Sequence, residues 1–241
     1  MLFSLLSFIL QEHNKANSGL LFDVRLEIHN LSLHHSIACQ FLAEVRDIKI
    51  QNDRLRFRKN LVRLGSILAY ELSKSLTYEI SQIETPLATA TAKKIKDQPV
   101  LIPILRAGLP FYEGVQDFFD QADAGFIGAY RSSHFTEDRT IVKGYTAMPN
   151  LNGKTAVIID PMLATGNSIL ECIDDISNNY KPAKIHVLAL LATPAGIANL
   201  EKSIKIPFEI WTVAIDEELN DNAYIVPGLG DAGDLAFGPK E

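Results

Sequence analysis

Between Thr155 and Ser168 a β-branched apolar run, Val157-Ile158-Ile159, stops at the carboxylate of Asp160, and small residues follow at Ala164, Thr165, Gly166, Asn167 and Ser168. The run reads as a buried parallel strand, and the residues from about Ile169 onward as an amphipathic helix. A strand, a short loop and a helix in that order aim backbone N–H groups and a helix N-terminus at one point, which suits a phosphate monoester. The carboxylate at the strand end lies within reach of sugar hydroxyls. A site that grips a phosphate and a ribose together is a ribose-5-phosphate site.

The elements that must position such a loop are legible around it. Strands are predicted at 99–105, 125–131, 155–160, 184–192 and 208–215, with helices at 110–119, 167–178 and 194–202 between them. Alternation of strands apolar on both sides with helices predicts an α/β fold, a parallel sheet with helices on both faces. Ligands bind beyond the carboxyl ends of such strands, and the chemistry here follows those ends, at Arg106, Arg131, Asp160 and Asp216. The longest helix candidate, 53–76, repeats Leu61, Leu64, Leu68, Leu72 and Leu76 at helical spacing and carries its basic residues in its first half. It reads as a packed helix with a solvated face.

Other chemistries are set aside on the same residues. No G-x-x-x-x-G-K-[ST] loop exists, and the literal G-x-G-x-x-G at Gly228, Gly230 and Gly233 has only eight residues after it. That leaves no room for a helix, a second strand and a ribose-binding acid. Asp231 and Asp234 lack the twelve-residue calcium pattern. Cys39 and Cys172 have no metal-ligand spacing and read as reduced thiols of a cytoplasmic protein, Cys172 on the apolar face of its helix. The formal charge of −6, from 23 basic and 29 acidic residues, argues against a nucleic-acid partner. Residues 1–10 are apolar but about half the length of a membrane span, with no basic flank or cleavage site, so no membrane association is expected. Residues 1–26 are expected to lie outside the fold, and 27–241 to form one domain.

Four segments together resemble the uracil phosphoribosyltransferases, enzymes of the type I phosphoribosyltransferase fold. Ile158-Ile-Asp-Pro-Met-Leu-Ala-Thr-Gly-Asn-Ser168 resembles their loop for phosphoribosyl pyrophosphate (PRPP), and Pro103-Ile-Leu-Arg-Ala-Gly108 their pyrophosphate loop. Ala129-Tyr-Arg131 is similar to the strand end that supplies a second arginine, and Tyr224-Ile-Val-Pro-Gly-Leu-Gly-Asp-Ala-Gly-Asp234 to the uracil-binding segment. The likeness runs from about Ile28 to Gly238. The Asp160-Pro161 pair, where most relatives in the wider fold carry two acids, points to the uracil branch.

The resemblance implies transfer of ribose-5-phosphate from PRPP to uracil N1, giving UMP and pyrophosphate, with a β-rich arm or hood beside the sheet. PRPP would be bound by Arg106, Arg131, Asp160, Pro161, Met162, Leu163, Ala164, Thr165, Gly166, Asn167, Ser168 and Asp231. Arg106, Arg131, Asp160 and Asp231 would carry the catalysis, and Ile225, Gly230, Asp231 and Ala232 would read uracil. Guanidinium forks match a pyrophosphate, and backbone groups can read the carbonyls and N3–H of a neutral base. Mg²⁺ is the implied cofactor, held mainly through PRPP rather than by protein ligands. A homo-oligomer is expected, paired through the long helix or the arm, and activation by GTP is not legible in these residues.

Two departures stand out. Asn167 takes a position where uracil enzymes usually have a second glycine; it preserves the N–H donors, tolerates a left-handed backbone and is a favoured helix cap, so activity should survive. Residues 132–150 lack the family's arm pattern and are expected to form a hairpin over or beside the site, with His134 facing solvent. His34-His35 lacks further metal ligands. Competing readings are a phosphoribosyltransferase for another base, a regulator that binds RNA or a nucleotide without turnover, and an inactive partner subunit. The acidic balance and the intact Asp160, Arg106 and Arg131 weigh against the last two.

Overall fold

The structure is a computed structural model that describes residues 26–131 and 141–239. In chain order its elements are β1 (Glu27–Asn30), α1 (Ile37–Arg46), α2 (Arg54–Ser73), β2 (Tyr78–Glu84), β3 (Thr89–Ile95), β4 (Val100–Leu105), α3 (Gly108–Gln116), β5 (Phe126–Arg131), β6 (Ile141–Ala147), β7 (Thr155–Ile159), β8 (Met162–Leu163), α4 (Asn167–Asn179), β9 (Lys184–Ala192), α5 (Pro194–Ser203), β10 (Phe208–Ile215), β11 (Glu218–Leu219), β12 (Ile225–Val226) and α6 (Ala232–Phe237). One sheet runs β1-β10-β9-β7-β4-β5-β6, with β8 also paired to β9. Its pairings are parallel except for β6, which returns antiparallel to β5.

Alternate residues of the central strands enter two cores. Leu101, Val157, Ile159, Leu188, Leu190 and Val213 pack with buried residues of α1, α2, α3 and α6 on one face. Ile102, Ile158, Val187 and Ile210 pack with Ile169, Cys172, Ile173 and Ile176 of α4 and with Ile197 and Leu200 of α5 on the other. Both faces are therefore covered, as the doubly apolar strands require. The predicted 184–192 and 208–215 strands have those limits in the structure, and the other predicted elements shift by a few residues at their ends. The leucine stripe of α2 is buried from Leu61 to Leu72, but the helix stops at Ser73 and Leu76 lies beyond it.

Several elements escaped the sequence reading. The antiparallel β2–β3 hairpin pairs Tyr78 with Ile95 through Glu84 with Thr89 and forms a sheet of its own, with Ile80 and Leu87 exposed. Its alternation is mostly polar, so it offers little hydrophobic period to read. The short helix α6, Ala232–Phe237, is a further element without a sequence signal, since it starts within the glycine-rich C-terminal segment. Residues 132–140 of the expected arm, His134 among them, lie outside the described residues, as do residues 1–25.

Helices α1 and α2 are joined by a charged network. Both Glu44 carboxylate oxygens accept from Arg56, at 3.0 and 2.9 Å, and Asn60 Nδ2 adds a bond at 2.7 Å. These bonds, Arg56 first, lower the Glu44 pKa from 4.5 to about 2. A depressed carboxylate pKa gives stability that is full above 4.5 and lost as pH falls toward 2. Thermal melts across that acid window should therefore show a steeper loss of Tm for the wild type than for Glu44→Gln; parallel curves would contradict this.

Candidate active site

The strand order sets the site. β7, β4 and β5 are neighbours, so Asp160, Arg106 and Arg131 fall at or just beyond three adjacent carboxyl ends. The loop after β4 also packs onto the end of β7: a Cβ built on Gly108 would lie 2.7 Å from the Ile159 carbonyl oxygen. The Asp160 backbone N–H bonds the Leu188 carbonyl at 3.1 Å, and its Oδ1 accepts from the Met162 N–H at 3.2 Å. That turn redirects the chain from β7 through buried Pro161 into β8, where Met162 and Leu163 add to β9. Met162 and Leu163 thus act as a strand support for the loop that follows.

The small-residue loop is built from below by α5. Thr193, at the end of β9, caps α5 by accepting from the Gly196 N–H at 2.9 Å, and its hydroxyl donates to the buried Ala164 carbonyl at 2.7 Å. Asn199 Nδ2 donates to the Thr165 carbonyl at 2.8 Å and to Asn167 Oδ1 at 3.1 Å. With these carbonyls held from beneath, the chain from Thr165 to Ser168 turns at Gly166 (φ 82°) directly into α4; Gly166 offers no side-chain cap, and the Asn167 N–H has a long 3.5 Å bond to Thr165 Oγ1. Asn167 is exposed and Thr165 and Ser168 are partly exposed. Uncapped N–H groups at a helix start carry partial positive charge, which is the condition for binding a phosphate.

Asn167 therefore keeps its N–H, as expected, for a different physical reason. The left-handed residue and helix cap is Gly166, and Asn167 is the first helical residue, its side chain tied to Asn199. Sequence reasoning missed Thr193, Gly196 and Asn199; Thr-Pro at the end of an apolar strand is a helix-start signal that could have found the first. Gly196 allows the close approach, since a Cβ there would stand 2.3 Å from the Ala164 carbonyl oxygen. Gly196→Ala should raise the KM for PRPP at least about tenfold by displacing the loop, with a smaller change in KM for uracil. Equal changes in both constants, measured by steady-state kinetics, would count against this role.

The C-terminal segment closes the other side. Arg106 Nη2 donates to Asp234 Oδ1 at 2.9 Å and Nη1 to the Gly238 carbonyl at 3.3 Å, while Nε is buried with no hydrogen-bond partner. Asp231 caps α6 by accepting from the Asp234 N–H at 2.9 Å, and its Oδ1 would lie 3.2 Å from a Cβ on Gly233, which would itself be 3.7 Å from Arg106 Nη2. Gly233 thus lies between Asp231 and Arg106, and Ala232 is buried. Gly230 is exposed at φ 93°, and Ile225 is buried in the β11–β12 pair. Arg131 ends β5 in register with Ile141.

Asp216, singled out as strand-end chemistry, does a different job. Its carboxylate accepts from Arg46 Nη1 and Nη2 at 2.9 and 2.8 Å and from the Gly228 N–H at 3.0 Å, and Arg46 Nη1 also reaches the Gly228 carbonyl at 3.3 Å. Gly228 has φ 57°, and a Cβ on it would lie 2.0 Å from the Ile225 carbonyl oxygen, so only glycine fits that turn. Arg58 Nη1 holds the Ala236 carbonyl at 2.7 Å from α2. The basic first half of α2, read as a solvated face, thus fastens the C-terminal segment in part. Arg46 and Asp216 are 170 residues apart, and no local pattern joins them.

Among the described residues, one group of three or more His, Cys, Asp or Glu side chains is close enough together to hold a metal, and it lies away from this end of the sheet. The catalytic region offers Asp160 and Asp231 without a cage of carboxylates. That donor set suits Mg²⁺ carried in on a diphosphate, since Mg²⁺ keeps several waters and takes few carboxylates.

The comparisons with known proteins agree with this geometry. The uracil phosphoribosyltransferase family model matches residues 32–239. A uracil phosphoribosyltransferase of Porphyromonas gingivalis is 40% identical over 215 residues, covering 89% of this chain and 100% of that protein. One of Malacoplasma penetrans is 42% identical over 193 residues, covering 80% and 91%. The solved structure of the AQ2163 protein from Aquifex aeolicus superposes with a TM-score of 0.78 at 32% identity, over 88% of this chain and 98% of that one. With four matching segments meeting at one end of the sheet, the chain belongs to the uracil phosphoribosyltransferase family.

Proposed function

We propose that this protein transfers ribose-5-phosphate from PRPP to N1 of uracil, giving UMP and pyrophosphate, as in pyrimidine salvage. The observation that carries the reading is the meeting of Arg106, from the pyrophosphate loop, with Asp234 of the uracil-reading segment, on the helix that Asp231 caps. The 5′-phosphate takes the N–H groups of Thr165 to Ser168 at the start of α4, and Ala164, held by Thr193, fixes their direction. Asp160 accepts from the ribose hydroxyls. Arg106 and Arg131 take the pyrophosphate. Backbone groups of Ile225, Gly230 and Ala232 read the uracil carbonyls and N3–H, with Asp231 alongside.

Displacement at C1 passes through a transition state of oxocarbenium character, so the residues act by alignment and by stabilising the charge that builds on the departing pyrophosphate. Mg²⁺, where PRPP brings it, neutralises part of that charge. Asp160 orients the sugar, and Arg106 stabilises the leaving oxygens. The turn pinned by Arg46 and Asp216 sets the face presented to the base.

The catalytic domain spans 27–241 and works as a homo-oligomer; exposed Ile80 and Leu87 of the β2–β3 hairpin support pairing through that element. Cys39 and Cys172, neither of them in a disulfide, fit a cytoplasmic setting, and no helix among the described residues is long and apolar enough to cross a membrane. Pyrophosphate release on mixing the protein with uracil, PRPP and Mg²⁺ tests the reading. Release should require all three and stop on chelation; release without uracil would mean simple hydrolysis of PRPP and would contradict it.

A further inference from the structure

At the opposite end of the strands from the active site, a polar row crosses the sheet on one face. Glu27 of β1, Glu209 of β10 and His186 of β9 are register partners, and the next row on that face begins with His29 and Trp211. Apolar neighbours fill that face elsewhere, so the row needs a physical account. Glu209 is only 7% exposed, and its Oε2 is buried without a hydrogen-bond partner.

The neighbours of that oxygen do not satisfy it. His186 Nδ1 lies 3.5 Å away but already accepts the Trp211 indole N–H at 3.0 Å, so it presents no proton to the carboxylate. Lys184 binds the other oxygen, Oε1. His29 Nε2 is 3.4 Å from Glu209 Oε2 and 4.0 Å from Glu27 Oε2, and it too is buried with no hydrogen bond. One ligand atom from each of Glu27, His29 and Glu209 lies within 4.8 Å of the others.

We infer that Glu27, His29 and Glu209 form a binding site for a divalent transition-metal ion of the zinc type, which fastens the edge strand β1 to β10. Zinc bonds of about 2.0–2.1 Å in tetrahedral geometry place ligand atoms about 3.4 Å apart, which is the His29–Glu209 separation. Glu27, exposed at the sheet edge, can swing in to complete a third bond. One imidazole and two carboxylates favour a borderline ion over Mg²⁺. The His29 ring is already fixed by stacking on Trp211, with centroids 3.6 Å apart and planes within 9°. Lys184 holds Glu209 through the oxygen the metal does not use.

Equilibrium dialysis of the chelator-stripped full chain against Zn²⁺, without PRPP or Mg²⁺, tests the site. One zinc per chain should bind at micromolar concentration. Because Trp211 is the only tryptophan, its fluorescence should change with the same midpoint. His29→Ala and Glu27→Gln should each weaken binding by at least about tenfold, and Glu27→Gln should move the fluorescence midpoint by the same factor. Glu27→Gln alters an exposed side chain and should keep the metal-free Tm, which separates lost ligation from lost folding. No zinc bound at micromolar concentration would overturn the site. Binding unchanged in both variants would overturn it too, by placing the ion elsewhere on the surface. None of these readouts depends on turnover.

Discussion

Replacing Arg106 by alanine should lower kcat/KM for PRPP about a hundredfold, or about 3 kcal/mol, the scale of losing one charge-stabilising donor at a developing anion. The guanidinium sits at the carboxyl end of β4 against α6, with its Nη2 on Asp234. The two side chains of that ion pair are 37% and 40% exposed, so the pair itself contributes little to stability. The variant should therefore melt near the wild-type Tm while losing most of its activity. Arg106→Lys should recover part of the loss, because it restores the charge without the planar fork. Less than a threefold change in kcat/KM for Arg106→Ala would remove this residue from the pyrophosphate site.

Arg46→Ala should be the more damaging change to the fold. The Asp216 side chain is 7% exposed, and removing its partner leaves a buried carboxylate with the Gly228 N–H still donating to it. Breaking a buried pair from one side costs about 3–5 kcal/mol, which lowers Tm by roughly 10 °C in a domain of this size. The same pair fixes the turn that precedes Gly230, so the KM for uracil should rise more than the KM for PRPP. An Arg46→Ala/Asp216→Asn double variant should be less destabilised than the sum of the single variants, since it no longer buries an unpaired charge. Additive melting losses would show that the pair is not the anchor of the turn.

The parts of this protein written in short, contiguous stretches were legible in its sequence. Val157-Ile158-Ile159 ending at Asp160 gave a strand end and a carboxylate, and the small residues to Ser168 gave an uncapped helix start. The central strands were readable because residues buried on both faces form unbroken apolar runs. The β2–β3 hairpin was not readable: its faces are mostly exposed, so Thr, Lys and Glu obscure its period. The loop supports were hidden for another reason. Thr193, Asn199, Arg46 and Arg58 act through backbone carbonyls or through partners far along the chain, and only the folded topology brings them to the site. Asp216 shows the limit of the strand-end rule, since a carboxylate there can be consumed by a partly buried arginine instead of facing substrate.

This division bears on how the site is assembled. The residues that touch PRPP or uracil in the proposed reading come from loops at adjacent strand ends, and the residues that hold those loops come from α1, α2 and α5. Gly196 beneath Ala164 and Gly228 beside Ile225 have the same role on the two sides of the cleft, each permitting a backbone contact that a side chain would block.

UMP formation from uracil, PRPP and Mg²⁺, run beside cytosine, orotate and hypoxanthine, tests the central claim most directly. A nucleotide product from uracil and none from the other three is the predicted result. Turnover of another base in place of uracil would contradict the account of the segment from Ile225 to Ala232, and no product from any base would contradict the proposed reaction.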